Sequence, residues 1–199
     1  MTEKSSKPSN HYVDNDKLNA VMVQWHHDIQ AAKAAGLERP PMPQYVAECV
    51  IKMAHGKAKL HNYRDYSWKD EMILDAIEVC AMYLHNFNPE AKTRKGDGPN
   101  GYGYINVAIE RAFNGRIDIE KREEYYKCKH VELLNGQGDL ARDLAEETGT
   151  DASGVVTDFI DRAYQYEKNE KAKAERAAAR KAKKDAKKPP VQSIARFMV

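Results

Sequence analysis

Residues 67–117 read SWKDEMILDAIEVCAMYLHNF (67–87), NPEAKTRKGDGPNGYG (88–103) and YINVAIERAFNGRI (104–117). In the first segment Met72, Ile73, Ala76, Ile77, Cys80 and Leu84 recur at helical spacing and predict one buried face. Glu71, Asp75 and Glu78 fall at i, i+4 and i+7 on another face, where they form a rail of carboxylates. Ser67 is the expected N-cap, with Asp70 and Glu71 placed on the positive end of the helix dipole, and the helix is expected to persist to Asn86. The middle segment has the Pro, Gly, Asn and Asp content of a loop and carries Lys92, Arg94 and Lys95, which make it electropositive. From about Gly103 a second helix repeats Ile105, Ala108, Ile109, Ala112, Phe113 and Ile117, then continues as a charged stretch until NGQG at 135–138 breaks it. Two amphipathic helices joined by a basic, Gly-rich loop point to an adaptor and not to a catalyst.

Working outward, Leu18, Val21, Met22, Trp25 and Ile29 predict a helix that Asp14 or Asn15 caps and Gly36 closes. A second helix is expected over 44–61, with Val46, Val50, Met53, Ala54 and Leu60 on its buried face. On the other side, 139–166 reads as one or two further helical pieces with a turn near Gly149 and Asp151. Residues 167–188 are almost entirely Ala, Lys, Arg and Glu; the composition favours helix but supplies no apolar stripe, so the segment reads as a basic linker, helical or disordered, that could also ride along DNA. Pro189 and Pro190 stop it, and Ile194, Phe197, Met198 and Val199 restore hydrophobicity. No strand alternation of useful length is present. The expectation is an all-α chain divided into a disordered start (1–13), a helical domain (14–134), an additional helical segment (135–166), a basic linker (167–190) and a terminal apolar peptide (191–199).

The 199 residues, 42% of them hydrophobic, suffice for one modest core. The net charge of +2 averages an acidic middle with a basic region near the C-terminus. Cys49, Cys80 and Cys128 lie far apart with no CxxC pair, so neither a zinc knuckle nor a disulfide framework is indicated, and a reduced cytoplasm is the expected setting. No apolar run approaches the roughly 20 residues of a membrane span, and the polar start lacks the apolar region of a signal peptide. His26 and His27 are adjacent and point in different directions on a helix, so no metal is assigned to them. With no nucleophile elbow, P-loop or dinucleotide fingerprint, an enzyme, a metal centre and a cofactor are all unexpected.

The order of these elements carries a resemblance. WKDEMILDAIEVCAMYLHNF, a loop and then YINVAIERAFNGRI resemble region 2 of bacterial sigma factors, in which an acidic amphipathic helix ending in an aromatic precedes a Tyr-led helix. Together with HYVDNDKL, the Trp25 helix, YSWKDEM and the LHNF ending, the stretch from Tyr12 to Arg122 is most similar to the late-transcription sigma factors of T-even-type phages. The resemblance implies a subunit that binds host core RNA polymerase and directs it to the minus-ten element of late promoters in the cytoplasm of an infected bacterium.

By that resemblance Glu71, Met72, Asp75 and Glu78 would face a coiled coil of the polymerase β′ subunit. Read without it, a solvated face is the better account of the three carboxylates, since charge on an exposed helix face is the default; the resemblance reverses that preference. Tyr104, Val107, Arg111, Asn114 and Lys121 share one side of the following helix, interrupted by Asp118. Arg can fork onto guanine, Asn onto adenine, and an aromatic can stack on an extruded base. Tyr102, Tyr104, Arg111, Asn114, Lys121 and Arg122 are therefore the DNA-binding candidates, with Lys92 to Lys95 touching phosphates. Both tyrosines also fit simple packing at a helix start. Housekeeping sigma factors carry two adjacent Trp after the Tyr, where this chain has Val107 and Ala108, so housekeeping-type melting is not implied.

Ser193, Ile194, Phe197, Met198 and Val199 resemble the short apolar tails by which T-even-type phage proteins bind the replication sliding clamp. The alternative is an apolar end that folds back on the domain. The family also implies the absence of a domain reading the upstream promoter element, for which a clamp tether and a late-transcription co-activator would compensate. A free monomer is expected. A reading from another class stays open, a stand-alone helical repressor or RNA-binding protein with a basic tail.

Overall fold

The computed structural model describes residues 13–91, 99–137, 140–150 and 152–186. Among them there are six α-helices and no strand: α1 (Asn15–Ala34), α2 (Gln44–Ala58), α3 (Lys69–Tyr83), α4 (Gly101–Gln137), α5 (Leu140–Thr148) and α6 (Ser153–Ala186), with a 3-10 turn at Leu84–Asn86. The packing divides the chain into two compact units, 1–119 and 120–199. This packing boundary falls inside α4, where periodicity alone gives no sign of it. Of the segment expected to be disordered, Val13 is buried in the core and 1–12 lie outside the described residues.

The first unit owes its core to the stripes that helical spacing imposes. Asp14 caps α1 by accepting from the N–H groups of Asp16 and Lys17, each at 3.1 Å, and Gly36 ends the segment in the left-handed region at φ 68°. Leu18, Met22 and Trp25 of α1 pack with Val46, Val50 and Met53 of α2, Met72, Ala76 and Cys80 of α3, and Ile105, Ile109, Phe113 and Ile117 of α4. The Trp25 indole N–H donates to the Pro40 carbonyl at 3.3 Å, and Tyr63 meets Phe113 edge-on, centroids 5.1 Å apart.

Three local expectations are corrected. α2 ends at Ala58 and passes into turns, so Leu60 falls out of helical phase and is 54% exposed. Lys57 is buried instead, because it donates to the Asn106 carbonyl at 3.3 Å and the Asn106 Oδ1 at 3.0 Å and pairs with Glu110 at 2.9 Å. Ser67 is not the N-cap of α3: the helix begins two residues later, after Trp68, without a side-chain cap. The third correction concerns the end of that helix, where the α form stops at Tyr83 and the chain tightens into the 3-10 turn.

The second unit has a smaller core. Among the described residues its buried apolar side chains are Cys128, Val156 and Ala163, and α5 buries none. Tyr125 stacks on Tyr166 at 4.6 Å and donates its hydroxyl to Glu167 at 2.9 Å, and Lys129 pairs with Glu167 at 3.2 Å. Gly149 turns the chain between α5 and α6 at φ 69°. The region read as a basic linker continues α6 without a break to Ala186.

Candidate nucleic-acid interface

The start of α4 is fastened from two directions. Its Gly101 N–H donates to Asn19 Oδ1 at 2.7 Å, and a Cβ at Gly101 would lie 2.6 Å from Met22 Sδ, so glycine is what lets α4 approach α1 this closely. Asn100 caps the helix, its Oδ1 accepting from the Gly103 N–H at 2.7 Å. A Cβ on Gly103 would meet that same side chain at 2.6 Å. These contacts set the azimuth of the following turn. They leave Tyr104 37% exposed, its ring edge-on to Phe87 with centroids 5.4 Å apart.

Beside Tyr104 lies a surface pocket of about 460 Å³, walled by Asn86, Phe87 and Asn88 on one side and by Asn100, Val107 and Arg111 on the other. It pairs an aromatic floor with three carboxamides and one guanidinium. That mixture can hold a flat polar ring by stacking and by hydrogen bonds to its edge, and an adjoining phosphate by charge.

Of the residues expected to touch DNA, Tyr104 and Arg111 line this pocket. Asn114 is exposed one turn further along the same face of α4. Tyr102 is not with them; two residues before Tyr104, it points about 160° away and is partly buried against the core. Lys121 and Arg122 are exposed but belong to the second unit. Lys92, Thr93, Arg94 and Lys95 lie outside the described residues, as do Ser193, Ile194, Phe197, Met198 and Val199. Phe87 and the three asparagines were missed by motif reading; the signal was the LHNFN run itself, an aromatic and two amides at a helix end facing the loop.

The acidic face of α3 is less uniform than the spacing suggested. Glu71 and Glu78 are exposed. Asp75 is held by Arg116 of α4 in a two-bonded fork, Nε to Oδ2 at 2.7 Å and Nη2 to Oδ1 at 2.9 Å. Met72 is fully buried and offers no surface to a partner. Leu74, 65% exposed, and Met82, 45% exposed, stand on the same arc as Glu71 and Glu78. The face therefore joins two exposed carboxylates to two exposed apolar side chains.

Burial pushes the Cys80 thiol up to about 12 and raises Cys49 and Cys128 as well. All three stay neutral and none faces either surface. Among the described residues no group of three or more His, Cys, Asp or Glu could hold a metal ion, and no helix is long and apolar enough to cross a membrane. In comparison with known proteins, the chain matches no family model and no curated sequence.

Proposed function

We propose that this chain is an RNA polymerase specificity subunit of the sigma region 2 type, which docks on core polymerase through α3 and holds an opened promoter base beside Tyr104. The observation that carries the reading is the pocket lined by Phe87, Tyr104 and Arg111, on a chain whose α3 also exposes Glu71, Leu74, Glu78 and Met82. A surface for a protein and a cleft for an unstacked base share one pair of helices, and the Asp75–Arg116 fork fixes those helices to each other. In this scheme Tyr104 stacks on the extruded base, the carboxamides read its edge, and Arg111 with Asn114 contacts the upstream side of an AT-rich element.

The docking half would place Glu71 and Glu78 against basic residues of a polymerase coiled coil, with Leu74 and Met82 as apolar anchors. The terminal peptide, Ser193 to Val199, would add a tether to a sliding clamp, and a co-activator would act on polymerase surfaces this subunit leaves open. The chemistry asked of the chain is binding and strand capture without catalysis or cofactor.

The deciding experiment purifies the chain with bacterial core polymerase and assays transcription from an AT-rich minus-ten template. Glu71→Lys with Glu78→Lys is expected to cost several kcal/mol of core binding, while Tyr104→Ala should keep core binding and lose about 1–3 kcal/mol of open-complex stability. Arg111→Ala and Asn114→Ala should relax base preference by about 1–3 kcal/mol per contact. A protein that ignores core polymerase but binds a duplex operator with sequence preference would instead be a stand-alone regulator.

A further inference from the structure

The C-terminal half of α6 presents Lys173, Arg176, Arg180, Lys183 and Lys184 along one side of an exposed helix. At 100° per residue these five fall within an arc of about 100° and extend over about 16 Å of axis. Lys173 also pairs with Glu170 at 3.4 Å. Glu170, Glu175 and Asp185, the acids of this half, all lie outside the arc. The rest of the circumference is mostly alanine, at 172, 174, 177, 178, 179, 182 and 186. Net charge alone does not require such a row, because the same residues shuffled would spread their cations around the helix.

We infer that this row is a second nucleic-acid site, a rod that binds the phosphate backbone of duplex DNA without reading sequence. Charge complementarity selects the occupant. Duplex DNA offers a continuous line of negative charge spaced closely enough to engage every cation of a row this long. A single strand would call for aromatic stacking platforms, and the row has none. An anionic membrane would call for bulky apolar residues opposite the cations, where this helix has alanine, carboxylates and Lys171. A protein partner would call for large buried anchors, which alanines do not supply. The inference stands independently of the promoter reading, since it rests on residues remote in sequence from Tyr104 and needs no polymerase.

The test is fluorescence anisotropy of the full-length chain, without polymerase, on a 30-base-pair duplex of random sequence over 50–200 mM salt. Four or five phosphate contacts predict a log–log salt slope of about −4 and a loss of roughly a few hundred-fold in affinity across that range. Arg176→Gln, Arg180→Gln, Lys183→Gln and Lys184→Gln combined should weaken binding more than tenfold at 50 mM and remove most of the slope. Far-UV circular dichroism should not change, since Gln is as good a helix former as the residues replaced. A second variant keeps the composition but breaks the row, exchanging Ala179 with Arg180 and Ala182 with Lys183; it should also lose more than tenfold. Neutralising Lys168, Lys171 and Lys181, which lie off the row, should cost less than threefold. The inference is overturned if the exchanged variant binds like the parent, if on-row and off-row neutralisation cost the same, or if single strands or phosphatidylserine vesicles bind as tightly as the duplex.

Discussion

Asp75 and Glu78 are three residues apart on α3 and chemically alike, yet they have different work. Asp75 gives both oxygens to Arg116 with each side chain about a quarter exposed, a geometry in which charge-assisted bonds contribute well above the surface average. Asp75→Ala is expected to lower stability by about 1–3 kcal/mol, read as a fall in the urea midpoint. Glu71→Lys and Glu78→Lys should leave that midpoint within about 0.5 kcal/mol, so fold and docking can be separated by these substitutions. Lys57 belongs with Asp75. Its ammonium satisfies a backbone carbonyl, an amide oxygen and Glu110, and Lys57→Ala should cost about 2 kcal/mol by freeing α2 from α4. The cysteines give an independent check: with Cys80 at about 12 and buried, alkylation at pH 8 should be slow in the native protein and rapid at all three thiols once it is unfolded.

Among the elements, the stripes of α1, α3 and α4 were legible because a buried face imposes its period on the sequence whatever it packs against. What could not be read depends on partners distant in the chain. Arg116 is 41 residues from Asp75, and nothing in the local pattern of α3 distinguishes a carboxylate that is already taken from one that is free. Tyr102 and Tyr104 look equivalent at a helix start, and only the Gly101 contact with Asn19 and Met22 decides which ring faces outward. Ser67 fits an N-cap by type, but the backbone at Trp68 sets the true start. The pocket itself was half legible, through Tyr104 and Arg111, since its other wall comes from the turn after α3. In the second unit the latch of Tyr125, Lys129 and Glu167 titrates at both ends. The Tyr125 hydroxyl and Lys129 hold the Glu167 carboxyl below its usual value, so its contribution is present above pH 4.5 and is lost as pH falls through the lowered folded value. Bonds to Glu132 and Glu167 raise Lys129, and the bond to Glu167 leads the rise at Tyr125. Their contributions are complete below about pH 10 and vanish as pH climbs through the raised values. Near-UV dichroism from the Tyr125–Tyr166 stack should be flat between these limits and fall on either side.

For the whole molecule, a net charge of +2 conceals an uneven distribution: exposed carboxylates on α3, a mixed cleft beside α4 and cations on α6. If the terminal peptide is a clamp tether, cutting the chain after Pro190 should leave unassisted late-promoter transcription intact and abolish stimulation by a loaded clamp. Equal stimulation of both forms would remove the tether from the scheme. α6 adds a constraint that a flexible linker would not. It is one unbroken helix from Ser153 to Ala186, and Val156 and Ala163 anchor its first half, so the compass bearing of the cationic row is inherited from residues several turns away. One residue inserted after Asn169 would swing the row by about 100°, whereas seven or eleven would bring it back to within about 20°. Because such an insertion turns all five cations together and leaves their mutual spacing intact, duplex affinity should stay within about threefold of the parent at every insertion length, while the bearing of the row on the anchored half changes in steps of the helix pitch.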